Sequence, residues 1–155
     1  MNSKAAKITL LVLRLVLGWL FLYSAVTKLA DPSWTSAAYL ESANTFTPFY
    51  HWLASSSVIP LVDALNVWGQ LLLGISLVLG VGVRISATLG ALLMLLYYFP
   101  ILQFPYPDAH SYLVDEHIII AAVLVFFVAV RAGRYWGIDA LLAKKLDSRF
   151  VRTLV

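Results

Sequence analysis

Apolar positions run along the chain in four long blocks, at about residues 8–29, 61–82, 85–104 and 113–132. Each is close to the ~20 residues that a helix needs to cross the hydrocarbon core of a bilayer. No stretch alternates with the period of two that a barrel strand requires, so helices must satisfy the backbone. The pattern predicts an all-α, integral membrane four-helix bundle, with residues 1–155 forming a single membrane domain. In the fourth block the apolar run Ile118–Val130 is short by itself. It reaches span length if His117 enters from one end and Arg131 snorkels at the other.

Polar residues punctuate the blocks with helical spacing. Arg14, Gly18, Phe21, Ala25 and Lys28 recur at three- and four-residue steps and share one face of the first helix. Gly18 and Ala25 would let a neighbouring helix approach closely. Asp63, Asn66 and Gln70 form a comparable stripe on the second, with Gln70 on the order of 10 Å deeper than Asp63. Tyr97 and Tyr98 lie toward the end of the third block, and Asp115, Glu116 and His117 open the fourth.

The connections have their own signals. Pro60 suits the first turn of the second span, where its missing N–H costs nothing, and Pro100, Pro105 and Pro107 end or kink the third and keep the following loop extended. The segment of about residues 30–60 is the longest connection. Asp31-Pro32 and Thr47-Pro48 both read as a cap followed by proline at the first helical position. With Trp34, Tyr39, Phe46, Phe49, Tyr50 and Trp52 as aromatic anchors, two short interfacial helices are expected there. After Arg134, the tail through Lys144 and Lys145 has the pattern of a basic amphipathic helix.

Composition supports the membrane assignment: 61% hydrophobic and 12% charged residues would leave a soluble chain unable to cover its own surface. Charge sets the orientation. If the spans alternate, Lys4, Lys7, Arg14, Arg84, Arg131, Arg134, Lys144, Lys145, Arg149 and Arg152 share one side and only Lys28 the other. Asp31, Glu41, Asp63, Asp108, Asp115 and Glu116 lie on the side of Lys28. The positive-inside rule then places both termini in the cytoplasm and the chain in a cell inner or plasma membrane as a multi-pass protein. Arg14 interrupts the first apolar block, which is also too long for a signal peptide, so a retained span is expected. The same rule accounts for the basic pI of about 9.3 without nucleic acid.

Cysteine is absent, which excludes a thiolate nucleophile, a chain-borne thiol redox cycle and an iron–sulfur cluster. Three scattered histidines do not suggest a metal cage, and no haem or flavin site is expected. Alternating topology gathers Lys28, Asp63, Asn66, Gln70, Tyr97, Glu116 and His117 toward the outer half of the membrane. That set offers a cation, amides, carboxylates and a group that titrates near neutrality. It suits an anion or a quinone carbonyl, with Lys28 as the polarising group and His117, oriented by Glu116 or Gln70, exchanging the proton. Helix-to-helix pairing is the competing use for the same groups, and it is the one expected of Asp63 and Asp115. At the inner level, Arg14, Arg84, Arg134 and Asp139 are explained by snorkelling and anchoring, with an Arg134–Asp139 pair closing the last helix.

Several stretches together resemble the DoxX family. They are Arg14-Leu-Val-Leu-Gly18-Trp-Leu-Phe21 with Lys28-Leu29, and Gly69-Gln70-Leu-Leu-Leu-Gly74 leading through Leu79-Gly80 to Arg84. Asp115-Glu116-His117-Ile118 and Gly133-Arg134-Tyr-Trp-Gly137-Ile-Asp139 complete the set. The aromatic first loop looks most like the DoxD branch, the membrane subunit of thiosulfate:quinone oxidoreductase. The resemblance covers nearly the whole chain and implies a four-helix membrane bundle in quinone-linked oxidation, in the DoxD case of thiosulfate to tetrathionate. The family's polar positions carry over to Arg14, Lys28, Gln70, Arg84, His117 and Arg134. Gln70 stands where an acidic residue is common.

The functional expectation is a quinone-facing membrane subunit of an electron-transfer complex, working with a second protein subunit. His117, Glu116 and Lys28 are its catalytic candidates. Lys28, Gln70, Asn66, Tyr97, Arg14 and Arg84 are its substrate or quinone ligands. The alternative is a non-catalytic accessory subunit of a larger respiratory or photosynthetic complex. A carrier is disfavoured, because inverted repeats and paired broken helices are absent from the sequence.

Overall fold

The computed structural model describes residues 3–145. It is an all-α bundle with the element order α1 (Lys4–Ala30), α2 (Ala37–Glu41), α3 (Thr47–Leu53), α4 (Ile59–Leu79), α5 (Val83–Ile101), α6 (Glu116–Val130) and α7 (Ile138–Lys145), with a 3-10 turn at Ala132–Arg134. Three helices, α1, α4 and α5, are long and apolar enough to cross a membrane. The fourth block forms a shorter apolar helix of 15 residues, about 22 Å long at 1.5 Å per residue. Leu113 and Val114, expected inside that span, remain outside the helix. Leu113 has a positive φ of 59° and Asp115 caps the first turn. Arg131 ends the helix in the left-handed region.

The bundle is built from two helix pairs, α1 along α4 and α5 along α6, with α4 and α5 meeting over a shorter length. Small residues set the first pairing. A Cβ on Gly18 would come within 2.7 Å of the Val78 side chain, and one on Gly74 within 2.8 Å of the Leu22 backbone nitrogen. The two glycines face each other, so the backbones pack directly, as small residues allow between membrane helices. The remaining core includes Leu10, Leu17, Phe21, Leu73, Leu77, Ala87, Met94, Leu124 and Phe127. The outward faces carry Val12, Val16, Trp19, Leu65, Leu72, Leu89 and Ile119, all exposed, which is the surface a lipid solvent accepts.

At the Arg14 end, chain segments far apart in sequence are clasped together. The buried Arg14 guanidinium donates to the carbonyls of Ala132 at 3.0 Å, Tyr135 at 3.1 Å and Trp136 at 3.2 Å. Asp139, also buried, accepts from the Gly82 and Val83 amides at 2.8 and 3.2 Å and so caps the start of α5. Gly80 has a φ of 68°, and a Cβ there would lie 2.6 Å from the Gly137 Cα, so the left-handed turn and the close approach both require glycine. The side chains of Lys144 and Lys145, and all of Arg149 and Arg152, lie outside the described residues.

At the Lys28 end, the long connection folds into two short helices packed on α5. Pro100 has no N–H to give to the carbonyl of Leu96, one turn earlier. The Tyr50 hydroxyl donates to that carbonyl instead, at 3.0 Å. Tyr39 donates to the carbonyl of Tyr97, Asn44 N–H to that of Pro100 at 2.9 Å, and the Thr45 hydroxyl to that of Leu102 at 2.7 Å. The connection is therefore fastened to the end of α5 by hydrogen bonds and does not simply rest on lipid. Its starts differ from the sequence reading. Asp31 ends α1 and accepts from the Ser33 amide and hydroxyl in a turn, while α2 begins only after Ser36. At the second site α3 does start at Thr47, with Pro48 in its first turn, but the capping position belongs to Phe46. Beyond α5, the proline-rich loop doubles back through isolated bridges between Gln103 and Tyr106 and between Asp108 and Ser111, and is not extended.

Candidate functional site

The polar stripe on α4 meets the end of α1 where Lys28 projects toward it. Lys28 Nζ donates to Asn66 Oδ1 and to Gln70 Oε1, both at 2.9 Å. An ammonium only donates, so it turns both amide oxygens toward itself and both NH2 groups away. These NH2 groups converge on one atom: the Tyr97 hydroxyl oxygen accepts from Gln70 Nε2 at 2.9 Å and from Asn66 Nδ2. A phenol oxygen engaged by two donors still has its own hydrogen to give. Lys28 likewise spends two of its three N–H bonds on the amides. The cluster is thus biased toward donation at both ends, which favours an acceptor such as a carbonyl oxygen or an anion.

A cavity of about 230 Å³ lies beside these donors, lined by Lys28, Trp34, Ser36, Tyr39, Asn66, Tyr97 and His117 among others. Trp34 covers the cation, its ring centroid 4.9 Å from Nζ, within cation–π reach. The roof is held by Asp63, whose carboxylate accepts from the Ser36 amide at 2.9 Å, the Ser36 hydroxyl at 2.6 Å and the Thr35 hydroxyl at 2.8 Å. Asp63 is thus a joint between helix and loop, a structural use but not the helix-to-helix pairing expected of it. Burial raises the Tyr39 phenol well above its usual range, so this ring stays protonated and donates to the Tyr97 carbonyl.

His117 stands on the far side of Tyr97, the two rings edge to face with centroids 5.9 Å apart. Its orienting partner is Asp115: Nδ1 and Asp115 Oδ2 are 2.5 Å apart, while Oδ1 of the same carboxylate caps α6 by accepting from the Ile118 amide at 3.1 Å. Asp115 was expected to pair helix to helix; it is buried and does double duty as cap and histidine partner. Glu116 is exposed and does not orient the ring. It lines a second cavity of about 180 Å³ with Ser24 and Gln70, and this cavity shares Tyr97 and His117 with the first.

Of the eight expected site residues, Lys28, Asn66, Tyr97 and His117 line the first cavity, and Gln70 joins them through its bonds to Lys28 and Tyr97. Glu116 reaches only the second cavity, and two residues reach neither. Arg14 lies fourteen residues from Lys28 on the same helix, about 21 Å away at 1.5 Å per residue, and its guanidinium is committed to three backbone carbonyls. Arg84 lies in the first turn of α5, about 20 Å along that helix from Tyr97. Both belong to the opposite end of the bundle. Asp115, Trp34 and Tyr39 are the contributors that sequence periodicity did not select, because each reaches the site from a connection or its edge.

Compared with known proteins, the chain matches the family model described as DoxX over residues 9–102. The match runs from α1 to the end of α5 and includes Lys28, Asn66, Gln70 and Tyr97. No curated protein and no solved structure matches the chain.

Proposed function

The chain belongs to the DoxX family of membrane proteins, and on that premise we propose that it binds a lipid-soluble quinone at the Lys28–Tyr97 cavity as the membrane subunit of a quinone-linked oxidoreductase. The observation that carries this reading is the donor bias of the cluster. Lys28 and Tyr97, joined through two amides, each keep a spare hydrogen-bond donor and line a cavity that Trp34 and Tyr39 also line. A quinone carbonyl is an acceptor on a flat apolar ring and suits both features.

When bound, the quinone accepts two electrons and two protons. Lys28 N–H and Tyr97 O–H would hold a carbonyl oxygen and stabilise charge developing on it. His117 is the group placed to exchange a proton with the quinone head. With Nδ1–H given to Asp115, its Nε2 is the free acceptor of the neutral ring and the proton-carrying atom of the charged one. Trp34 and Tyr39 limit water above the cavity. Asp63 acts at one remove by holding Ser36 and Thr35 in place.

In the DoxD-like form of this reading, the Lys28 end faces outward and the electrons come from thiosulfate. Oxidation of two thiosulfates to one tetrathionate releases the two electrons that one quinone accepts. The one-sided distribution of basic residues supports that orientation within a plasma membrane, with both termini cytoplasmic. The fastened aromatic loop supports the branch assignment. The absence of cysteine from the chain supports a second subunit as the place where sulfur is handled. Membranes carrying the full chain and its co-purifying partners test this through thiosulfate-dependent quinone reduction. Loss in both Lys28→Ala and His117→Ala is expected, and retention in both overturns the assignment.

A further inference from the structure

Where α4 and α5 diverge, an apolar groove of about 470 Å³ runs between them, a volume in the range of about 300–1,000 Å³ typical of ligand sites. Small residues open it. Gly69 and Gly82 line the groove, and a Cβ on either would meet no atom within 4 Å. The two serines in it do not make it polar: the Ser76 hydroxyl donates to the Val81 carbonyl at 2.6 Å, and the Ser86 hydroxyl lies 2.6 Å from Ser76 Oγ. Leu65, Leu72 and Leu89 form rims that are exposed to the surroundings.

The groove adjoins the polar site through shared walls. Leu65 and Leu93 line both the groove and a further cavity of about 230 Å³ beneath α2 and α3, whose other lining includes Tyr39, Asn66 and Tyr97. Leu65 directly precedes Asn66, and Leu93 lies one helical turn before Tyr97 on the same face of α5. Apolar walls at membrane depth thus lead to Asn66, which accepts from Lys28, and to Tyr97, which the amides join to it. A ligand recognised only by its polar head would have no use for these walls, whereas a head with a long hydrocarbon chain fills both parts.

We propose that the groove between α4 and α5 seats the polyprenyl chain of the same quinone whose head meets Lys28 and Tyr97. The inference rests on the quinone reading above and adds to it the part of the molecule that selects a membrane quinone over a bare ring. Each isoprene unit placed in the groove exchanges lipid contacts for protein contacts, so the chain serves mainly to orient the head and choose the side of entry.

Gly69 allows a clean test. It is exposed on α4 with room for a side chain, and replacing glycine inside a helix favours the helix. The full chain in detergent micelles, with bound quinone counted by native mass spectrometry, is titrated with a side-chain-free benzoquinone and with the same ring carrying a polyprenyl chain. In Gly69→Phe the prenylated quinone is expected to bind at least tenfold more weakly, while the bare ring binds as to wild type. Gly69→Ala should match wild type for both. If Gly69→Phe leaves prenylated-quinone binding unchanged, the groove assignment is overturned while the head site stands. If wild type binds neither molecule, the head reading fails and the groove inference falls with it. Phospholipid lost from Gly69→Phe with prenylated quinone retained would make the groove an acyl-chain seat and overturn the proposal.

Discussion

Lys28 and Tyr97 are joined through the same two amides: Gln70 receives from Lys28 and donates to Tyr97, each at 2.9 Å, and Asn66 makes the equivalent pair. The ammonium therefore sets the orientation of both amides, and the amides set the direction in which the phenol can donate. Removing either end disturbs the other, so the pair should behave as one unit in mutagenesis.

Lys28→Ala removes the charged donor and frees both amides to rotate. A hydrogen bond from a charged group contributes about 1.5–3 kcal/mol, so affinity for a bare benzoquinone should fall roughly ten- to hundredfold. Equilibrium binding measured in detergent checks this, with circular dichroism confirming that helix content is retained.

Tyr97→Phe keeps the ring and its edge-on contact with His117 but leaves two buried N–H groups without their acceptor. The expected loss is about 1–3 kcal/mol of stability, with head binding weakened about as much as in Lys28→Ala. The double variant Lys28→Ala/Tyr97→Phe should be little worse than either single change, and a fully additive loss would show that the two act separately.

Asp115 has two separable uses. Asp115→Asn retains an oxygen to cap α6 but removes the anion beside His117, so thermal stability should change little while turnover falls at least tenfold. Asp115→Ala loses both, and the missing cap adds about 1 kcal/mol of destabilisation. Parallel melting and turnover measurements separate the two outcomes.

Gly74→Leu forces a side chain against the α1 backbone, where even a Cβ would come within 2.8 Å of Leu22 N. Overpacking of this kind costs roughly 1–3 kcal/mol or more, so the melting temperature should drop clearly. Gly69→Leu on the same helix, where nothing lies within 4 Å, should leave it nearly unchanged.

At the other end, Arg14→Leu leaves the carbonyls of Ala132, Tyr135 and Trp136 without their donor. The buried Ala132 carbonyl left unpaired costs about 1–3 kcal/mol, and the part-buried Tyr135 and Trp136 carbonyls lose their bonds as well. Stability should fall steeply, while the folded fraction binds benzoquinone as wild type does. Weakened binding in that folded fraction would instead return Arg14 to the site.

Much of this arrangement was legible in residue spacing. Steps of three and four placed Lys28 on the buried stripe of α1, and they placed Asn66 and Gln70 on one face of α4, because helical periodicity translates directly into a shared side. Gly18 was readable as a contact point for the same reason, although its partner Gly74 was not. Spacing says nothing about residues in connections. Asp115 precedes α6 by one position, so no periodicity links it to His117, and Glu116 was the nearer-looking candidate. The proline at position 32 suggested a helix start, but Asp31 found local donors in Ser33 and formed a turn instead. Arg14 and Arg84 were grouped with the site by family resemblance, and helix length separates them from it by about 20 Å.

The most direct test of the central claim is the binding of a side-chain-free benzoquinone to the purified full chain, wild type against Lys28→Ala, in the same detergent. Saturable binding by wild type, weakened at least tenfold in the variant, is the predicted result. Equal binding by both proteins, or no saturable binding by wild type, would contradict a quinone site at Lys28 and Tyr97.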